Sequence, residues 1–245
     1  VRLEKYYHFI NRPDQDLFDL LHELGMEGEL RWTCTRMGFF RFNSRMPSGV
    51  GHMHPWGNPL ALLSFPDVSL LTRLRYGLHA LHCKYLNNLM RLDSITASEW
   101  LRAWVGNEGY AVLWKFLFEK KFFSLAEPLS AAWIASRVRR VARSRKNLMQ
   151  EELGYLEGGS ESLISRLMTE IARYGGVVRT GCPVYKVGLE GNNFTLNFAH
   201  DGVENLQADA VISTIPLPYV NDIFPFLPPA YANRISQVRN VGVAC

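Results

Sequence analysis

ELGYLEGGSESLISRLMTEIARYGGVVRTGCPVYKV, residues 152–187, and ADAVISTIP, residues 208–216, decide how the chain folds. Gly158-Gly159 reads as a turn, and Ser160 stands in a helix-capping position ahead of Leu163, Ile164, Leu167, Ile171 and Tyr174, whose spacing is helical. Gly175-Gly176 supplies the positive-φ exit that helix C-termini favour, and Val177-Val178 opens a β-branched run. Two strand-like runs, Val184 to Leu189 and Phe194 to Phe198, flank Glu190-Gly191-Asn192-Asn193, which tolerates a hairpin's backbone. A second turn at His200-Asp201-Gly202 leads into Val203 to Gln207. The nearly unbroken apolar run from Ala208 to Thr214 fits a strand buried on both faces of a parallel sheet, closed by Pro216. The expectation is an α/β chain, α+β overall, with part of a doubly wound sheet domain and an inserted antiparallel ribbon.

The chain has 245 residues, 47% of them hydrophobic, enough for one large core or two modest ones. A net charge of +4 arises largely from one local run of arginines, which gives no reason to expect nucleic acid as a partner. Cys34, Cys83, Cys182 and Cys245 are far apart, without the close pairs of zinc or thiol-redox sites. The opening VRLEKYYHFI carries charges where a signal peptide needs an apolar core, and no apolar run reaches the roughly 20 residues of a membrane span. A cytoplasmic protein is expected. Because the sequence opens without Met and stops in an apolar run at VGVAC, it is expected to be part of a longer protein.

Along the chain, Asp14 to Gly25 predicts a helix with Leu17, Leu20, Leu21 and Leu24 on one face, and Leu30 to Phe42 predicts one or two strands around Gly38. Met46 to Pro66 reads as a loop rich in Pro, Gly and His. Within it, Gly49-Val50-Gly51-His52-Met53-His54 starts like a dinucleotide fingerprint. It fails as one, because His54 replaces the last glycine and Pro55 blocks the helix that must follow. His52 and His54 would share one side of an extended segment, yet no further ligands complete a shell, and no metal is expected. Asp67 to Met90 predicts a long helix with Leu70, Leu74, Leu78, Leu81, Tyr85 and Leu89 on one stripe. A core helix and a cationic amphipathic face that touches a membrane or admits an acidic or greasy substrate are the two readings. Thr96 and Glu99 form a capping box for a helix that Gly106 to Gly109 should end. Tyr110 to Phe123 is strongly aromatic and fits helical packing or a stacking surface. Ser130 to Arg145 predicts a helix with Arg137, Arg140 and Arg143 broadly on one face, either solvated or aimed at a phosphate or carboxylate. Tyr231 to Val238 predicts a short helix before a final strand.

Three blocks of these residues resemble the superfamily of flavin-containing amine oxidases, protoporphyrinogen oxidases and phytoene desaturases. Glu4, Lys5, Tyr6, Tyr7, His8 and Ile10 match a pattern close to E-K-[FY]-Y-H-H-I, with Phe9 in place of the second His. Trp100-Leu101 through Gly106, Tyr110, Trp114 and Lys121-Phe122 is similar to the helical substrate lobe. The double-glycine turn with its helix, the G-x-P-V-x-x-V segment and the A-D-x-V-I-x-T-x-P run form the most specific block.

The resemblance implies an FAD/NAD(P)-binding sheet domain at 1–25 and 151–216, and a mostly helical substrate-binding lobe at 26–150 and 217–245. It implies FAD as cofactor. Gly158 and Gly159 would lie near the FAD-binding face, Val184 would offer backbone at the adenine end, and Thr214 and Pro216 would approach the flavin ring. A small-molecule substrate would meet Tyr7, His8, Tyr110, Trp114, Arg137 and Arg140. The implied activity is oxidation of a hydrophobic or amine-bearing molecule by hydride transfer to flavin. Cys245 aligns with a lysine that many amine oxidases carry, which tilts the substrate towards porphyrinogen-like or polyene-like molecules. The alternatives are a flavin-dependent nucleotide-sugar mutase and a non-catalytic module derived from a flavoprotein.

Overall fold

The computed structural model describes residues 8–42, 51–199 and 205–239. Its contacts divide the chain into two compact units, Val1–Leu167 and Met168–Cys245. Tyr7, the turn at His200 to Gly202, Cys245 and most of the final strand expected after Val238 lie outside the described residues.

In the first unit, α1 (Gln15–Glu23) buries Leu21 and leaves through Gly25 at φ 64°. The strands β1 (Leu30–Thr35) and β2 (Met37–Phe42) separate at Arg36, so one expected strand region serves two sheets. β2 pairs antiparallel with β3 (Gly51–Trp56), which places His52 and His54 in a hairpin strand rather than a loop. Phe39 of β2 and His54 and Trp56 of β3 lie on one face of the pair and pack against Phe65 of the core, which supports that pairing. After α2 (Pro59–Ser64) comes α3 (Leu70–Tyr85), N-capped by the Ser69 hydroxyl accepting from the Thr72 amide.

The predicted capping box starts α4 (Ala97–Tyr110), where the Thr96 and Glu99 side chains reciprocally satisfy two helix-end amides. The helix does not end at Gly106. It kinks there, at φ 75° and ψ 173°, and resumes. Arg75 makes the kink tolerable: its Nε and Nη2 donate to the Trp104 and Ala103 carbonyls at 2.7 and 2.8 Å. A wider π-helical turn (Ala111–Lys115) joins α4 to α5 (Phe116–Phe122), and α6 (Ala131–Arg143) follows, its Ser130 cap accepting from the Ala132 amide. α3 to α6 bury Phe65, Cys83, Leu101, Val105, Phe118 and Ala135 in one cluster.

β4 (Arg145–Asn147) and β5 (Gln150–Leu156) complete an antiparallel sheet ordered β1-β5-β4. The N-terminal segment joins it through Ile10 and Gly154, which exchange both backbone hydrogen bonds at 2.9 and 2.7 Å. Glycine lets the strands approach closely there, since a Cβ at 154 would stand 3.2 Å from both Ile10 Cβ and the Trp32 ring and its neighbours would have to give way. Ile10, Leu21, Met26 and Leu156 form the second apolar cluster of this unit. α7 (Ser160–Arg173) is the helix predicted after the glycine turn.

In the second unit, β6 (Val184–Glu190), β7 (Asn193–Phe198) and β8 (Leu206–Ala208) form the expected antiparallel ribbon, turning through Gly191 at φ 63°. α8 (Val220–Ile223) packs on β6, and α9 (Pro229–Ser236) is tied back to it by Asn221 Nδ2 donating to the Ala232 carbonyl. The mixture of helices and β-ribbons is the expected α/β class. Among the described residues every ladder is antiparallel. The runs at Val177-Val178 and Val211 to Thr214 are therefore not strands, and Ile212 is 91% exposed. A strand buried on both faces needs partners on both edges, and these segments have none among the described residues. No helix among the described residues is long and apolar enough to cross a membrane.

Candidate functional site

The glycine turn sits where β5 hands over to α7. Gly158 and Gly159 have φ of 83° and 74°, conformations that L side chains rarely adopt, and a Cβ at 158 would meet Ser162 Cβ at 3.3 Å. Ser162 closes the turn by donating its amide and hydroxyl to the Gly159 carbonyl at 3.2 and 2.8 Å. The result is a stretch of bare backbone at a helix start, the shape that lets a flat or anionic cofactor approach the main chain. These two residues therefore fit the group the resemblance implies.

Val184, Thr214 and Pro216 belong to the other unit. Val184 opens β6, the edge strand of its ribbon, so its main chain is not enclosed by strands on both sides. Thr214 is exposed, and Pro216, also exposed, accepts the Tyr219 amide at its carbonyl at 3.0 Å, starting the turn into α8.

The substrate candidates fall into two groups within the first unit. Tyr110 and Trp114 are 4% and 8% exposed and belong to the aromatic cluster of the lobe. The π-helical turn aims Trp114 at Tyr76, with rings 6.3 Å apart and 28° from parallel. Arg102 stacks on Tyr110 at 4.2 Å. Tyr76 also neighbours His79, which stands against Trp100 with ring centroids 4.7 Å apart. Burial holds His79 neutral, its pKa lowered to about 4, and raises the Tyr76 phenol to about 12. Two nitrogens in this cluster, Trp114 Nε1 and His79 Nδ1, are buried without a hydrogen-bond partner among the described residues.

Arg137, Arg139, Arg140 and Arg143 surround a groove of ≈ 290 Å³ closed by Pro13 and Asp14. Arg140 grips Asp14 with two hydrogen bonds and reaches the Phe9 carbonyl at 3.4 Å, next to His8, which is exposed. Arg137 lies over the Trp133 ring at 5.4 Å. Arg139 and Arg143 donate to the Leu86 and Lys84 carbonyls. Those partners are neutral, and neither arginine forms an ion pair among the described residues.

The structure adds residues that sequence reasoning passed over. Ser144 accepts the Arg12 amide and donates to the Glu152 carbonyl, while the Arg12 side chain bonds Glu152 and covers Trp32 at 3.8 Å. This network fastens the N-terminal segment to β5, just ahead of the glycine turn. Its one sequence signal was the adjacent pair Glu151-Glu152, both buried despite their charge.

No curated protein matches the sequence. Solved structures do match in fold. A provisionally named protoporphyrinogen oxidase from Exiguobacterium sp. 255-15 shares 19% identity at a TM-score of 0.63, over 95% of this chain and 52% of its own. A redesigned putrescine oxidase shares 18% at 0.61, over 96% and 51%. Wild-type putrescine oxidase bound to putrescine shares 20% at 0.57, over 96% and 51%. The chain thus spans about half the length of the structures it resembles. A sequence model described as flavin containing amine oxidoreductase matches residues 2–245. With that match over essentially the whole chain, and with the glycine turn, ribbon and helical lobe in place, the chain belongs to the flavin-containing amine oxidoreductase family.

Proposed function

We propose that the chain is part of an FAD-dependent oxidoreductase that oxidises a hydrophobic or amine-bearing small molecule. The observation that carries the reading is the Gly158-Gly159 turn, with both φ positive, at the junction of β5 and α7 in a flavin-containing family. Bound FAD would supply the hydride acceptor for a C–H bond next to nitrogen or conjugated carbon. The chain's own part is to bind, orient and desolvate. Gly158 and Gly159 are the candidates in the first unit to hold the cofactor by their main chain, and Val184, Thr214 and Pro216 are the candidate contacts in the second unit. The sheet elements at 1–25 and 151–216 carry these residues, and the lobe at 26–150 and 217–245 takes the substrate.

In the lobe, Tyr110 and Trp114 belong to the buried aromatic cluster, and Trp114 Nε1 is a buried donor with no partner among the described residues, which a substrate entering the lobe could engage. Such a cluster excludes water and strengthens whatever polar contact it holds. Arg137 supplies a cation for an acidic substrate group, while Arg140 holds the segment carrying His8 through the Phe9 carbonyl. Protoporphyrinogen-like and amine substrates both fit this description.

The test is to purify the full-length protein and record its visible spectrum, then add candidate substrates without oxygen. A flavin band that bleaches with substrate alone is expected. Absence of the band after reconstitution with FAD overturns the cofactor reading, and a band that no amine or porphyrinogen bleaches overturns the substrate reading.

A further inference from the structure

We propose that the face built by α3 and the C-terminal end of α6 docks on a membrane containing anionic phospholipid. Along α3 the residues Leu70, Leu74, Leu78, Leu81 and Tyr85 fall on one side at helical spacing, and all five point away from the core. Leu78 is 60% exposed and Tyr85 67%, so the stripe is open along the whole helix, a length of roughly 24 Å at 1.5 Å per residue. The opposite side of the same helix buries Thr72, His79 and Cys83. The helix is therefore committed to its core on one side and apolar in the open on the other. Next to it, α2 exposes Leu60 and Leu63 and is held to α3 by Arg73 Nη1 donating to the Leu63 carbonyl at 2.6 Å. An apolar surface of this extent exceeds what scattered surface leucines need.

Charge identifies the occupant. Between Pro59 and Leu92 the only acidic residue is Asp67, already paired with Arg41 at 3.0 Å. Arg73 and Lys84 flank the stripe on one side by their position on the helix, while Arg75, on the other, is turned onto the Trp104 and Ala103 carbonyls of α4. Arg139 and Arg143 join its C-terminal end by donating to the Leu86 and Lys84 carbonyls, and neither forms an ion pair among the described residues. Glu108, the acid at the other end, is engaged by the Ser69 amide and by the Ser69 and Thr72 hydroxyls, inside the helix cap. Apolar side chains bordered by cations match an interface of acyl chains beneath phosphate headgroups. The inference holds whichever molecule the protein oxidises.

The experiment is co-sedimentation of the full-length protein with phosphatidylcholine vesicles, with and without phosphatidylglycerol. Binding to the anionic vesicles only, weakened by salt, is expected. Leu74→Ser with Leu78→Ser should weaken it at least about tenfold, and Lys84→Glu with Arg143→Glu comparably. Equal binding to both vesicle types, or none, overturns the proposal. So does full competition by soluble glycerol phosphate, which would assign the cations to a free phosphate ligand. A Leu78→Cys protein in which Cys34 and Cys182 are changed to Ser, compared with the same background carrying Leu78, reports on cover independently of the vesicles. Ready reaction with a water-soluble maleimide supports an open stripe. Protection that persists on dilution would give the face to another segment of the full chain, and protection that dilution removes would give it to a second copy; either overturns docking.

Discussion

Arg140 reaches across 126 positions of sequence to hold Asp14, its Nε donating to Oδ1 at 2.9 Å and its Nη2 to Oδ2 at 2.6 Å. Desolvation works to raise the Asp14 pKa, but the bonds from Arg140 and Asn11 outweigh it and hold the carboxyl below its usual 3.8. Since the folded pKa is depressed, the pair's stabilisation is present above the unfolded value and is lost as pH falls through the folded one. Arg140→Ala should lower stability at pH 7 by about 1–2 kcal/mol, discounted because both side chains are partly exposed. The melting-temperature gap between wild type and variant should close below pH 3.8. A gap that stays constant in acid would mean that Arg140 stabilises by packing alone.

His79 gives a measurable slope in the pH range just above that of Asp14. Burial pulls its pKa from 6.5 to about 4, with His82 adding to the effect. The unfolded chain therefore takes up the proton first, and stability present above pH 6.5 is lost as pH falls towards 4, by on the order of 3 kcal/mol. Urea unfolding at several pH values should show this slope, and His79→Leu should flatten it. Equal slopes in the two proteins would place the acid sensitivity elsewhere.

Gly158→Ala tests the turn in two ways at once. Its φ of 83° costs a side chain roughly 1–2 kcal/mol, and the added Cβ presses on Ser162 at 3.3 Å. Lower stability of that size is expected in the full-length protein, together with a reduced ratio of flavin to protein absorbance. Restored flavin content at saturating FAD would show weakened affinity. An unchanged ratio at limiting FAD would leave the turn a purely structural element.

Sequence periodicity carried far here because several elements are local. The capping box at Thr96 and Glu99, the helix after Ser160 and the ribbon across Gly191 are all set by residues within a few positions of each other. What stayed hidden depends on distant partners. The kink at Gly106 read as a helix end because nothing nearby announces that Arg75 supplies the missing donors. Likewise β5 hid behind Glu151-Glu152, two charges that a buried strand excludes unless Arg12 and Thr35 come to meet them. The apolar run ending at Thr214 misled in the other direction, since a β-branched sequence specifies a strand only where neighbours complete its ladder. At the candidate site, Arg137 and Arg140 were found from helical spacing, but their different partners, Trp133 and Asp14, were not.

Trp114 separates packing from binding in the lobe. Its Nε1 is buried without a partner among the described residues, a state that costs about 1–3 kcal/mol relative to a satisfied or absent donor. Trp114→Phe removes that donor while losing ring volume against Tyr76 and Phe118. The two effects oppose each other, so stability should change by less than about 1 kcal/mol. If the indole N–H is the substrate's partner, KM should rise about tenfold with kcat little changed, because a ground-state hydrogen bond of ordinary strength is lost. Steady-state kinetics of the full-length variant, alongside its melting curve, decide between the roles: unchanged KM with marked destabilisation returns Trp114 to the core.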